Sequence, residues 1–234
     1  MATTQADKGR RFKALHESGT FLIPNPWDAG SARMLQGIGY QALATTSAGF
    51  ANTLGRLDGQ VTLDEKLAHC RLICDVTTIP VNVDFENGFA DEPKAVATNV
   101  ERLVFTGVVG ASIEDWANGK IYDFALAVER VHAAAEVAHG QESSFLLTAR
   151  CENLLRGVLD MDDTIRRLLA YSAAGADVLY APGLRTLEQV QTVLDAVDKP
   201  LNVLGAMMPV VTVAEYVQVA QRLSAKEPVG YFKV

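Results

Sequence analysis

The sequence is short of several things that would place it elsewhere. No apolar run in its 234 residues approaches the roughly 20 needed to span a bilayer. Residues 1–13 are polar and basic, with no hydrophobic stretch of the secretory kind. Basic charge is in deficit: 21 Lys and Arg against 28 Asp and Glu give a net charge of −7, which leaves no footprint for nucleic acid. Three cysteines, Cys70, Cys74 and Cys151, cannot make a paired disulfide framework, and the four histidines are not spaced with them for zinc. A reducing cytoplasm is the expected compartment. Linkers, low-complexity segments and shifts of composition are also missing, so one domain over residues 1–234 is expected. What is there is a 49% apolar, 21% charged chain, long enough to bury a core without disulfide or metal. A small-molecule ligand is the remaining class of partner.

Short apolar, β-branched runs recur along the chain: Phe21–Pro24, Ala42–Thr46, Pro80–Phe85, Gly110–Ile113, Phe145–Ala149, Ala176–Tyr180, Pro200–Leu204 and Val229–Val234. Near-continuous apolar runs suit strands buried on both faces of a parallel sheet. Helical patterns lie between them at Ala29–Gly37, Leu63–Val76, Glu92–Phe105, Tyr122–Ala138, Asp162–Ala174, Thr186–Val197 and Thr212–Leu223. Asp28 is a good N-cap, Thr62 with Glu65 has capping-box spacing, Pro93 fits a first turn and Gly175 a helix end. Eight alternating units predict an α/β fold, a (β/α)8 barrel of parallel strands. The chain stops after Val229–Val234, so the eighth helix is expected to be missing.

Function in such a barrel sits at the carboxyl ends of the strands. Acids gather there: Asp58 after the second strand, Asp84 and Glu86 at the third, Glu114 at the fourth. Asp84 and Glu86 are two apart, which in a strand puts both on one side. Carboxylates meeting in one pocket repel unless a cation joins them, and an all-oxygen donor set suits a hard ion such as Mg²⁺, or Mn²⁺. A lone acid at a strand end often only caps the next helix, as Asp28 does; four at neighbouring ends, with Arg150, outweigh that reading. Arg150 has two uses open to it, an ion pair with Glu152 or a guanidinium fork for a substrate carboxylate. Thr45-Thr46-Ser47-Ala48-Gly49 reads as a small-residue loop, either a tight turn or a set of N–H donors for an anionic oxygen. The cysteines read as core.

These stretches, in this order, resemble the isocitrate lyase/phosphoenolpyruvate mutase superfamily. The resemblance covers about residues 20–205. Its marks are Asn25-Pro26-Trp27-Asp28 with Ser31-Ala32, Ser47-Ala48-Gly49, Gly55 to Asp58, Asp84-Phe85-Glu86-Asn87-Gly88-Phe89, Ile113-Glu114-Asp115 and Ala149-Arg150 with Glu152. It implies a (β/α)8 barrel and a Mg²⁺ enzyme that cleaves or forms a C–C or P–C bond beside a 2-oxo or 2-hydroxy carboxylate, through an enolate. By position, Asp84 resembles the direct metal ligand, and Asp58, Glu86 and Glu114 resemble acids that reach the ion mostly through water. Thr46, Ser47, Ala48 and Gly49 resemble the loop holding the substrate carboxylate, within one or two residues of register. Arg150 resembles the arginine that grips the substrate, and Asn202 lies at the seventh strand end. Arg150, Glu114 and Asp58 are thus the expected catalytic residues.

Two departures stand out. Lyases of the superfamily carry Lys-Lys-Cys-Gly-His in a lid after the fourth strand, whereas this chain has Trp116-Ala117-Asn118-Gly119-Lys120-Ile121-Tyr122, with neither cysteine nor histidine. Isocitrate or methylisocitrate cleavage is therefore not expected. Asn118 and Lys120 resemble polar lid residues of the phosphonopyruvate hydrolase and carboxyphosphonoenolpyruvate mutase branch, or form a solvated turn. The tail beyond Pro209 matches the superfamily poorly, so a homo-oligomer stays open but without the usual exchange of eighth helices. A carboxylate-binding barrel with little catalysis is the alternative from another class.

Overall fold

The computed structural model describes residues 3–224. Six parallel strands form one curled sheet in the order β1-β2-β3-β6-β7-β8: β1 (Leu43–Ala44), β2 (Val81–Asp84), β3 (Gly110–Glu114), β6 (Leu146–Arg150), β7 (Val178–Tyr180) and β8 (Leu201–Asn202). Strands β4 (Trp116–Ala117) and β5 (Lys120–Ile121) are a separate antiparallel hairpin. Almost every residue of the six strands is buried, as parallel strands covered on both faces must be. Each crossover is helical: α4 (Leu63–Val76) leads to β2, α5 (Pro93–Val104) to β3, α6 (Phe124–His139) to β6, α7 (Met161–Ala173) to β7 and α8 (Leu187–Ala196) to β8. This is an α/β fold of the barrel kind.

Two expected strands differ. Phe21–Pro24 makes no continuous ladder; Leu22 forms a single bridge, and Pro24 accepts from the Ala44 amide at 3.0 Å, so the segment flanks β1. Pro24 and Pro26 lack the N–H groups a longer ladder needs. Val229–Val234, with the question of an eighth helix, lies outside the described residues.

The helices form where caps and stripes agree. Thr62 and Glu65 close the capping box on α4, Asp28 and Ser31 do so on α2 (Ala29–Ile38), and Pro93 opens α5. Helix α9 (Val213–Ser224) follows β8 after a short 3₁₀ turn at Gly205–Met207. Two helices were not legible as such. In α1 (Gln5–Glu17), capped by Thr4 and Asp7, the apolar stripe is little more than Phe12; it packs with Ala42, Val109 and Leu146 just where three strands begin. Helix α3 (Ser47–Thr53) occupies the stretch read as a loop, with Thr46 as its N-cap.

A large apolar cluster runs from Ala32 to Val219 between sheet and helices. Cys70, Cys74 and Cys151 are unpaired and buried in it; burial pushes the thiols of Cys70 and Cys74 up to about 12, which leaves them unreactive packing groups. Among the described residues no helix is long and apolar enough to cross a membrane.

Candidate active site

Register sets the site. Glu114 pairs with Arg150, Arg150 with Tyr180 and Tyr180 with Asn202, so one row crosses the carboxyl ends of four adjacent strands. Paired positions on neighbouring strands face the same way. Arg150 Nη1 stands 3.4 Å from Glu114 Oε2 and 3.6 Å from Asp84 Oδ1, which reaches in from β2. The guanidinium lies over the Tyr180 ring at 5.2 Å, and its Nε donates to Glu152. The ion pair with Glu152 read from the sequence is present: Nε is spent on Glu152, while Nη1 faces Glu114 and Asp84. Burial opposes the charge on Arg150, but Glu114, Glu152 and Asp84 outweigh it and hold its pKa well above the ordinary value.

Asp84 is fixed from the other side. Its Oδ2 accepts from the Ser47 amide and the Ser47 hydroxyl, both at 3.0 Å, and its own amide donates to the Thr45 hydroxyl at 3.1 Å. The expected small-residue loop is therefore the first turn of α3, whose Ser47 amide is directed at the end of β2. Thr46 spends its hydroxyl on the Gly49 amide, and Ala48 is exposed. A Cβ on Gly49 would fall 2.5 Å from the Trp27 indole, so only glycine lets that turn lie against Trp27.

Glu86 differs from expectation. β2 ends at Asp84, and Glu86 has φ 50°, so strand alternation no longer sets its direction; it lines the cleft with Glu114. It turns toward Lys66 of α4, Oε1 to Nζ 3.7 Å. Burial pushes Glu86 up to about 7, with Asp84 and Asp58 adding to the rise and Lys66 opposing it. Glu114 is pushed up to about 8, first by burial and then by Glu152 and Asp84, against Arg150. Asp58 is exposed and touches none of the other acids; it sits beside Gly59, which lines the cleft. That cleft, about 210 Å³, is bounded by Gly59, Glu86, Asn87, Glu114 and hairpin residues Trp116 to Asn118. Asn202 is buried with its Oδ1 unpartnered.

Four residues outside the expected site set surround it: Asp115, Glu152, Arg156 and Lys66. Asp115, next to Glu114, faces the other way and accepts from the Glu152 amide (2.8 Å), Tyr171 hydroxyl (2.6 Å) and Arg167 (3.2 Å). Glu152 in turn receives Arg156 at 2.8 Å, and Arg156 lies over the hairpin's Trp116 at 4.5 Å. Lys66 had a signal: it falls in the apolar stripe Leu63, Leu67, Cys70, Ile73 and Cys74, where a cation is out of place.

Among the described residues no three His, Cys, Asp or Glu groups converge into a cage for a metal ion. The donors fit Mg²⁺ in another way: they are all carboxylates, Glu86 Oε1 is buried without a hydrogen-bond partner, and Mg²⁺ binds through one or two carboxylates while keeping waters.

The family model of phosphoenolpyruvate phosphomutase matches residues 12–225. A crystal structure of a putative lyase/mutase from Burkholderia cenocepacia is 42% identical, with a TM-score of 0.92 over 98% of this chain and 82% of that one. The 2-methylisocitrate lyase of Escherichia coli K12 is 31% identical over 82% of this chain and 68% of its own length. An oxaloacetate decarboxylase of Paraburkholderia xenovorans is 31% identical over 87% of this chain and 70% of its own.

Proposed function

The chain belongs to the phosphoenolpyruvate phosphomutase family, and from that premise we propose that it is a lyase or decarboxylase that breaks a carbon–carbon bond beside a small 2-oxo or 2-hydroxy carboxylate, with Mg²⁺ as cofactor. The observation that carries this is one guanidinium edge, Arg150 Nη1, facing two acids, Asp84 and Glu114, of which Glu114 lines the cleft. Lyases and decarboxylases among the relatives support the reaction class.

Asp84 would hold the ion, with Glu86, Glu114 and Asp58 reaching it through water. Bound there, Mg²⁺ supplies Lewis-acid polarisation of the substrate's 2-oxo oxygen. Arg150 receives the substrate carboxylate, since Nη1 is committed to no single acid at hydrogen-bond distance. The turn from Thr46 to Gly49, next to Asp84, would flank the substrate carboxylate and help fix one orientation. A 2-oxo acid that loses CO₂ would leave the bond's electron pair on the carbon next to the 2-oxo group, as an enolate that takes up a proton from solvent. A 2-hydroxy acid would give up its hydroxyl proton, become the 2-oxo fragment and leave the pair on the carbon of the other fragment, which is then protonated. Trp116 and the hairpin tip roof the cleft and limit water.

Asn118 lines the cleft from the hairpin tip, which favours one second reading, phosphonopyruvate hydrolysis or a related P–C rearrangement. Oxaloacetate, 2-methylisocitrate, dimethylmalate and phosphonopyruvate should be screened with Mg²⁺ for pyruvate, and the last also for phosphate. Pyruvate from one of the first three, lost in Asp84→Ala, supports the lyase. Phosphate release moves the protein to the second reading. No turnover of any by folded enzyme overturns both and leaves a binding barrel.

A further inference from the structure

Lys66 is the most completely buried cation of the region: its side chain has 0% exposure and its Nζ makes no hydrogen bond. Its neighbours are the Phe50 ring, 5.8 Å from Nζ to the centroid, and Glu86 Oε1 at 3.7 Å, itself buried and unbonded. Phe50 is held in place by His69, one turn along α4, stacked at 3.8 Å; His69 Nε2 donates to the Trp27 carbonyl at 2.9 Å. Placing an ammonium in an apolar wall without hydrogen bonds is costly and needs a compensating field. The field on hand is the carboxylate cluster.

The charges suggest what it does. Glu86 and Glu114 line the cleft, and Lys66 lies against Glu86 Oε1, where a bound Mg²⁺ would meet a second cation on the same carboxylate. Lys66 is fully buried and does not line the cleft, so it cannot receive substrate there.

We propose that Lys66 is a positioning residue, a fixed internal counter-cation that holds Glu86 and competes with the metal for it, thereby lowering the affinity of the site for Mg²⁺. Two cations sharing one set of acids repel, and that coupling is reciprocal: whatever Lys66 takes from metal binding, its removal returns. The inference rests on the metal reading above.

Calorimetric titration with Mg²⁺ alone, without substrate, tests it. Wild type should show one site, and Lys66→Met should bind Mg²⁺ at least about tenfold more tightly, since a full charge leaves the cluster's low-dielectric wall. A side chain that only fills space would leave the affinity unchanged or weaken it, and either result in a folded Lys66→Met protein overturns the proposal. No isotherm from wild type instead removes the metal reading itself. The tighter binding from Lys66→Met should disappear when Lys66→Met/Glu86→Gln is compared with Glu86→Gln. Should Lys66→Met fail to fold, Lys66→Gln takes its place: tighter binding than by wild type is expected, and equal or weaker binding by Lys66→Gln rejects the role.

Discussion

Ser47 donates both its amide and its hydroxyl to a single oxygen of Asp84, Oδ2, each at 3.0 Å. This pair joins the first turn of α3 to the end of β2 and leaves Asp84 Oδ1 directed at Arg150. Ser47→Ala keeps the amide bond and loses the hydroxyl bond. Urea denaturation should show a loss of about 1 kcal/mol, the net worth of one such bond. An unchanged midpoint would mean that the hydroxyl bond contributes nothing.

Neighbouring acids at the end of β3 should behave oppositely. Asp115 compensates buried Arg167 and accepts from Tyr171 and the Glu152 amide. Asp115→Ala should cost about 3 kcal/mol or more, read as a fall in thermal midpoint. Glu114→Gln removes a crowded carboxylate and should keep or raise the midpoint of the metal-free protein while turnover falls. Equal destabilisation by both changes would contradict this division.

The raised carboxyls give the metal-free protein a pH dependence. Glu86 at about 7 and Glu114 at about 8 lie above their unfolded value of 4.5, so the folded state binds more protons than the unfolded state across that interval. Their contribution is complete below about pH 4.5 and is lost as pH rises through 7 and 8. Thermal midpoints in chelator should fall between pH 6 and 9, and Glu114→Gln should flatten the fall. A midpoint that rises over this range would reverse the sign.

Arg150→Lys tests the fork. A lysine keeps the charge but cannot serve Glu152 and an incoming carboxylate from different edges. Oxalate affinity should drop at least about tenfold with secondary structure retained by circular dichroism; unchanged affinity would show that charge alone suffices.

Legibility follows the length of each physical signal. Periodicity finds Leu63–Val76 to the residue because fourteen positions and a Thr62–Glu65 box agree. Helix α3 spans seven residues and contains a glycine, too few turns for a stripe to show. Phe21–Pro24 looks like a strand in composition, but proline limits its ladder to one bridge. The strand-end rule brings out Asp84, Glu114 and Arg150, which meet. It also finds Glu86, which lines the cleft although alternation ends where the backbone turns to positive φ. A cation in the apolar stripe of α4 marks Lys66 but not its partner Glu86, 20 residues on, and Asp115 depends on a contact to Arg167, 52 residues on, which no local pattern encodes.

The central claim is a Mg²⁺ site on Asp84 that presents a small carboxylate to Arg150. Calorimetric titration of oxalate, an enolate mimic, into wild type and Asp84→Ala with and without Mg²⁺ tests it most directly. Oxalate should bind wild type only when Mg²⁺ is present and should not bind Asp84→Ala under either condition. Oxalate binding that ignores Mg²⁺, or that survives in Asp84→Ala, would contradict the claim.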